Sequence, residues 1–284
     1  MKTIKRLALS LGLGLGVPAA LMIGTTGALA NSDEDKFAAY RDALGDENPG
    51  EFFIDDGKKF FHEKRGPKNE NLEKCDFGLG PGVLKGAYAQ LPRYFADTGK
   101  VETLEGRILG CMVKLQGFKE EDVLKMHYQN AGEEDSRPSE LAAITSYIAA
   151  QSNGLKFDVK LEHAAEKNAY EMGKKMFWRR QGWMDLSCAD CHANTQGKLL
   201  RGVELPDMTA PKTAGKVMTA FPAYVLKDAN VRTQWWRNER CVLAMRLPWL
   251  KTGSELDAAL TLYMSIFASQ SDEKIQVPGI KPRA

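Results

Sequence analysis

The sequence predicts a mainly α-helical fold built from two tandem halves of similar design. Three observations support this: short motifs recur in the same order, apolar residues near the end of each half follow a helical period, and a Cys-x-x-Cys-His motif occurs in the second half. The chain has 284 residues, enough for two ordinary domains. Its hydrophobic content of 43% and charged content of 27% are typical of a soluble globular protein.

Residues 1–30 have the features of a secretory signal peptide. Three cations in the first six residues precede an apolar stretch at residues 7–23, and Ala-Leu-Ala at 28–30 forms a small-x-small cleavage pattern. An uncleaved membrane anchor is the alternative, but glycines and a proline interrupt the apolar stretch. We therefore expect an exported, periplasmic protein with no membrane span after cleavage.

Charge argues against a nucleic-acid partner. Cleavage would remove the three cations and change the formal net charge from +2 to −1. The mature chain would then be nearly neutral and would lack the cationic surface that phosphate binding requires.

The first half, residues 31–153, repeats features of the second half, residues 154–284. Residues 57–61 (GKKFF) parallel residues 173–177 (GKKMF) at an offset of 116 (173 − 57). Further matches occur at an offset of 130 (222 − 92), and they include Pro92 with Pro222, Tyr94 with Tyr224, Val101 with Val231, Arg107 with Arg237 and Cys111 with Cys241. We place the boundary near Gln151 to Lys156, where Ser152-Asn153-Gly154 favours a turn.

A matching helix is predicted near the end of each half. Ser139 and Ser254 are N-cap candidates, and each is followed by a Glu in the first turn. Apolar residues then recur at helical spacing, as in Leu256, Leu260 and Tyr263.

The motif Cys188-Ala189-Asp190-Cys191-His192 predicts covalent attachment of one haem. Two thioethers form from the cysteines, and the histidine becomes the proximal iron ligand. A disulfide or a metal site is the alternative, but the sequence has no second Cys pair to complete a zinc site. Trp183, Met184, Leu199 and Leu200 suit the lining of a haem pocket. The second half is therefore predicted to be a haem-binding cytochrome c domain.

The first half retains one of the three haem-attachment residues. At the offset of 116, the residues that replace Cys188, Cys191 and His192 are Leu72, Cys75 and Asp76. We therefore expect a cytochrome c-like domain without haem. If Cys111 lies beside the same space as its counterpart Cys241, it lies close to Cys75. A Cys75–Cys111 disulfide is predicted, with two free buried thiols as the alternative.

Cys241 is a candidate for the second axial ligand of the iron. It follows His192 by 49 positions (241 − 192), and Met208, Met218 and Met245 are competing candidates. If residues 235–246 form a helix, Arg237 and Cys241 are an i, i+4 pair on one face. Such an arginine favours the thiolate and offers paired donors to an oxyanion, although a solvated arginine face is the alternative.

The chain resembles the SoxA family, the cytochrome subunits of SoxAX complexes in bacterial sulfur oxidation. The paired halves, the haem motif and residues 236–241 (WRNERC) carry the resemblance, which covers essentially the whole mature chain. Because no histidine follows Cys75, the chain resembles the monohaem branch.

This resemblance implies an L-cysteine S-thiosulfotransferase that joins thiosulfate oxidatively to a cysteine of the carrier SoxYZ. It implies that Cys241 is an axial ligand and a catalytic persulfide, and that Arg237 holds the substrate anion. It further implies a heterodimer with SoxX, whose haem passes electrons to a soluble cytochrome c.

Two rival functions come from other classes. A non-catalytic electron-transfer cytochrome would use a methionine as ligand and leave Cys241 incidental. A haem-based sensor of sulfide or nitric oxide would release Cys241 on binding.

Overall fold

The described part of the chain is mainly α-helical with a few short strands, as the sequence predicts. The computed structural model describes residues 39, 42–43, 48–132, 140–195, 197–200 and 203–281, without the side chains of residues 126 and 128–132. The predicted signal peptide and the predicted helix cap Ser139 lie outside the described residues. Within these ranges, no helix is both long enough and apolar enough to cross a membrane.

Helices and short strands alternate along both halves. In chain order the first half contains α1 (Glu51–His62), a 3₁₀ turn (Tyr88–Gln90), β1 (Arg93–Phe95), β2 (Lys100–Glu102), α2 (Leu104–Cys111), a π-helical turn (Met112–Gln116), α3 (Glu120–Gly132) and α4 (Glu140–Ala150). The second half contains α5 (Ala164–Trp178), α6 (Cys188–His192), β3 (Leu199–Leu200), β4 (Val203–Glu204), α7 (Pro211–Met218), β5 (Ala223–Val225), a 3₁₀ turn (Leu226–Asp228), β6 (Asn230–Arg232), α8 (Gln234–Ala244), α9 (Glu255–Ala268) and β7 (Gly279–Lys281).

The β-hairpins of the two halves have the same register. β1 pairs antiparallel with β2, with Tyr94 opposite Val101, and β5 pairs antiparallel with β6, with Tyr224 opposite Val231. Each pair in the first hairpin therefore has a counterpart 130 positions later. In the second half β7 adds to β5 in parallel and makes a three-stranded sheet.

Two close helix crossings also correspond. α1 packs on α4 and α5 packs on α9, and a glycine lies at each crossing. A Cβ on Gly57 would lie 2.0 Å from the carbonyl oxygen of Ala143, and a Cβ on Gly173 would lie 2.0 Å from that of Ala259. The repeated glycine therefore lets the two backbones approach more closely than any side chain would allow.

Side-chain caps explain where several helices begin. Thr103 and Thr233 occupy matching positions and accept the backbone N–H groups of Gly106 and Trp236. Ser254 caps α9 by accepting the N–H of Asp257, which confirms the predicted cap. The helix predicted at residues 235–246 ends earlier, at Ala244, and Arg246 has a positive φ of 60° that a right-handed helix does not contain.

The two halves contact each other directly. The hydroxyl of Tyr88 donates to the carbonyl of Phe221 over 2.9 Å, and the N–H of Tyr94 donates to Glu166 over 2.9 Å. The predicted boundary forms turns after α4, and Asn153 there donates to the carbonyl of Val277 near the C-terminus. The ring of His127 in α3 also contacts that of Trp235 in α8, with centroids 4.5 Å apart.

Candidate functional site

The haem motif forms the short helix α6, which a reciprocal cap holds in place. The Ser187 hydroxyl accepts the N–H of Asp190 over 3.1 Å, and the Asp190 carboxylate accepts the N–H of Ser187 over 2.8 Å. This capping box satisfies two N–H groups that the helix itself leaves unpaired. It sets the backbone on which both cysteines and His192 are placed.

His192 is oriented by a backbone carbonyl. Its Nδ1 lies 3.0 Å from the carbonyl oxygen of Pro206, so Nδ1–H donates and the lone pair of Nε2 is left for a ligand bond. The N–H of Met208 donates to the carbonyl of His192 over 2.8 Å and closes this loop onto the motif. Sequence reasoning missed Pro206, because a carbonyl acceptor has no residue signature.

The fold brings Cys241 of α8 to the motif. The thiol interacts with the imidazole of His192 and with the charge of Arg237, one helical turn earlier. Burial by itself would raise the pKa of Cys241, but the Arg237 charge and the hydrogen bond with His192 outweigh it and hold the pKa below its ordinary value. Cys241 therefore has the most thiolate character of the three free cysteines.

Cys188 and Cys191 lie in the opposite electrostatic environment. Burial, together with the neighbouring Cys241, raises the pKa of Cys188 to about 12 and also raises that of Cys191. These effects place the three sulfurs near one another. Two thiols that stay neutral beside an oriented imidazole fit covalent attachment of a c-type haem.

The predicted apolar lining is only partly enclosed by the protein. Trp183 is 93% exposed, and Met184, Leu199 and Leu200 are also exposed, whereas Phe177 is buried. Among the competing ligands, Met218 lines a small cavity between the halves together with Tyr88 and Trp235.

The first half has a disulfide where the second half has its haem motif. Cys75 and Cys111 are bonded to each other, the pairing predicted from the sequence, and both are buried. Arg107, the counterpart of Arg237, donates from Nε to the carbonyl of Asp76 over 2.6 Å and pairs with Asp97 and Glu102. In this half, the counterpart of Cys241 is bonded to another cysteine, and the counterpart of Arg237 is bound by other protein groups.

A helical fold, a capped Cys-x-x-Cys-His motif and an oriented histidine together define a c-type cytochrome. Comparison with known proteins identifies the family. The model of the SoxA/TsdA cytochrome c domain matches residues 56–157. The L-cysteine S-thiosulfotransferase subunit SoxA of Hydrogenophilus thermoluteolus is 40% identical over 242 residues, which cover 85% of this chain and 86% of that protein. The chain therefore belongs to the SoxA family.

Other relatives agree with this assignment. A SoxA subunit of Hydrogenobacter thermophilus is 33% identical over 81% of this chain and 83% of its own. The crystal structure of SoxXA from P. pantotrophus matches with a TM-score of 0.66 and 26% identity, over 87% of this chain and 84% of that chain. The cytochrome c domain implies haem c as the cofactor.

Proposed function

We propose that this chain is the haem-bearing subunit of an L-cysteine S-thiosulfotransferase that joins thiosulfate oxidatively to a cysteine of a SoxYZ-like carrier protein. The observation that carries the proposal is the environment of Cys241, whose sulfur lies beside His192 and has a lowered pKa. The names of the relatives support the same activity.

One haem c per chain is held by the second half. Cys188 and Cys191 would provide the thioethers, and His192 and Cys241 would provide ligands to the iron. The first half holds no haem, because Cys75 is consumed by a disulfide and Asp76 stands where a histidine is required. This assignment makes the chain a monohaem SoxA.

The chain is further proposed to consist of two tandem cytochrome c-like domains, residues 31–153 and 154–284. The matched hairpins, helix crossings and threonine caps support this organisation. Residues 1–30 are proposed to be a signal peptide that directs the chain to the periplasm.

Arg237 binds the substrate anion in this proposal. Its side chain is partly exposed, and within the described part of the chain no carboxylate pairs with it. A guanidinium offers two parallel N–H donors that match the oxygens of a sulfonate. Thiosulfate would thus be held one helical turn from the sulfur of Cys241.

Cys241 is the nucleophilic sulfur. Its thiolate, or the terminal sulfur of its persulfide, forms an S–S bond with the outer sulfur of thiosulfate, and this step releases two electrons. The carrier thiolate then attacks this outer sulfur. The thiosulfate group passes to the carrier, and Cys241 returns to its starting form. The haem supplies a one-electron acceptor, and a SoxX-like haem subunit passes the electrons to a soluble cytochrome c.

Replacement of Cys241 tests the proposed function. Cys241→Ser should change the ferric iron spectrum and lower thiosulfate-dependent cytochrome reduction by about a hundredfold or more, because both the ligand and the nucleophile are lost. Met218→Leu is the matched control for a competing sulfur ligand and should leave both readouts unchanged. An unaltered spectrum with full turnover in Cys241→Ser would contradict the proposal.

A further inference from the structure

Two cations of the second half occupy positions at which the first half has carboxylates. The β1–β2 and β5–β6 hairpins share one register, and each turn has a positive φ at the same position, 68° at Gly99 and 47° at Ala229. The turns therefore have equal length, and the residue correspondence across them is unambiguous. Asp97 corresponds to Lys227, and Glu102 corresponds to Arg232.

In the first half these carboxylates bind the guanidinium of Arg107. The Asp97 carboxylate accepts from both terminal nitrogens of Arg107 at 3.0 Å each, and Glu102 accepts from one of them at 3.1 Å. The third nitrogen, Nε, donates to the carbonyl of Asp76, and the guanidinium lies 4.1 Å from the ring centroid of Phe95. Four of the five N–H donors of Arg107 are therefore used within the protein, and no parallel pair of donors is left for an external anion.

In the second half the corresponding residues are Lys227 and Arg232, and neither offers a carboxylate to Arg237. Arg232 pairs instead with Asp228 over 3.0 Å and lies over the ring of Trp236. Lys227 is exposed on the turn of the hairpin. Arg237 pairs with no acidic side chain among the described residues, and its charge acts on Cys241.

We propose that Lys227 is a specificity-determining residue of the thiosulfate site. By placing a cation where the first half has Asp97, it leaves the paired donors of Arg237 available for the sulfonate oxygens, and it adds positive charge to this end of the hairpin. A carboxylate at this position would bind Arg237 as Asp97 binds Arg107 and would exclude the substrate anion. This inference rests on the proposed function, since it specifies how that site admits its substrate.

The test compares Lys227→Asp with the neutral, nearly isosteric Lys227→Asn in the holoprotein complex. The aspartate should raise the KM for thiosulfate about tenfold or more, because a charge-assisted ion pair must be displaced. The asparagine should raise it about two- to threefold, because a positive charge is lost but no carboxylate is added to bind Arg237. The iron spectrum and kcat should stay near their original values in both variants, since neither change replaces Cys241 or a residue of the haem motif.

Binding provides a readout that does not depend on turnover. Calorimetric titration of thiosulfate into the oxidised holoprotein should show weaker binding in Lys227→Asp than in Lys227→Asn, and Asp97→Asn in the first half should leave binding unchanged. Equal KM and equal binding for the two Lys227 variants would overturn this inference. Binding that follows the predicted order without any turnover in the original protein would support this inference and reject the proposed function.

Discussion

The three free cysteines show how the surroundings of a residue determine its chemistry. Cys188 and Cys191 are partly buried near Cys241, and burial raises their pKa values. Cys241 is subject to the same burial penalty, but Arg237 and His192 stabilise its thiolate. The same side chain is therefore suited to thioether formation at two positions and to nucleophilic attack at a third.

Burial also shifts the pKa values of ionisable groups that lie between the halves. Burial, and then the charge of Asp257, raises the pKa of Glu105 to about 8, and burial raises that of Asp257 to about 7. Burial lowers the pKa of His127 to about 3, with Arg232 contributing in the same direction. The Nε2 of His127 lies 3.9 Å from Oε1 of Glu105. Near neutral pH the folded protein thus keeps Glu105 largely protonated and the His127 imidazole neutral.

Glu105→Gln should change how stability depends on pH. Between pH 4.5 and about 8 the unfolded chain ionises Glu105 while the folded protein retains its proton, so stability falls as pH rises. Below pH 6.5 His127 opposes this trend, because the unfolded chain binds the additional proton. In denaturant unfolding between pH 6.5 and 8, the free energy of unfolding of Glu105→Gln should therefore rise relative to that of the original protein by about 1 kcal/mol per pH unit.

The exposed neighbour Glu255 offers a control for this measurement. Glu255→Gln makes the same substitution on the exposed surface of α9. Between pH 6.5 and 8, its free energy of unfolding should change with pH as that of the original protein does. A Glu105→Gln curve parallel to that of the original protein would show that Glu105 is ionised in the folded state.

At the scale of elements, the fold depends on two glycine-mediated helix crossings. Gly173→Ala and Gly57→Ala would each place a methyl group 2.0 Å from a carbonyl oxygen of the crossing helix, so α5 and α9, or α1 and α4, would have to separate. We expect each change to lower the free energy of unfolding by about 3 kcal/mol or more. Denaturant unfolding of the holoprotein measures this loss.

Gly110 in α2 is the matched control for the helix crossings. It is exposed, and a Cβ there would meet nothing within 4 Å. Gly110→Ala should stabilise the protein by up to about 1 kcal/mol, because alanine favours the helix. Equal changes in the free energy of unfolding at all three glycines would mean that helix propensity, and not close packing, determines the effect of the substitution.

The disulfide of the first half should contribute stability without contributing to redox chemistry. It joins residues 36 positions apart, so loop closure predicts that the double change Cys75→Ser with Cys111→Ser lowers the free energy of unfolding by about 4 kcal/mol. The ferric spectrum and turnover should be retained in the folded fraction, since the haem motif lies in the other half. Loss of the haem spectrum at temperatures where the double variant is still folded would contradict this separation of roles.

At the scale of the whole molecule, the two halves differ sharply in charge. Residues 31–153 carry 16 cations and 23 anions, a formal charge of −7, whereas residues 154–284 carry 20 cations and 14 anions, a formal charge of +6. Residues 31–284 together are nearly neutral only because these charges cancel. The half with the haem motif therefore has an excess of positive charge that attracts anions.

This asymmetry predicts that turnover depends on ionic strength. Raising the salt concentration from about 0.01 M to about 0.2 M shortens the Debye length several-fold and should raise the KM for the thiosulfate dianion while kcat changes little. Steady-state assays in sodium chloride at constant thiosulfate ionisation measure the effect. A KM that does not change with salt would mean that long-range charge does not recruit the anion.

The local features of this protein follow from its sequence. The haem motif, the capped helix at Ser254, the repeat of hairpins and helices, and the i, i+4 placement of Arg237 and Cys241 all depend on residues close together in the chain. The Cys75–Cys111 pairing was also predictable, because the repeat relates each cysteine to a position beside the haem motif. Spacing and periodicity were sufficient for these features.

Tertiary packing decided the rest. It brought Cys241 to His192 across 49 positions (241 − 192), gave His192 its acceptor at Pro206, left Trp183 exposed, and buried Glu105 against Asp257 from the other half. These relations depend on which surfaces of distant elements meet, and a short-range pattern of residue types carries no record of that choice. The pKa values of Cys241 and Glu105 depend on burial and on nearby charges. Both effects act only once the packed surfaces have excluded water.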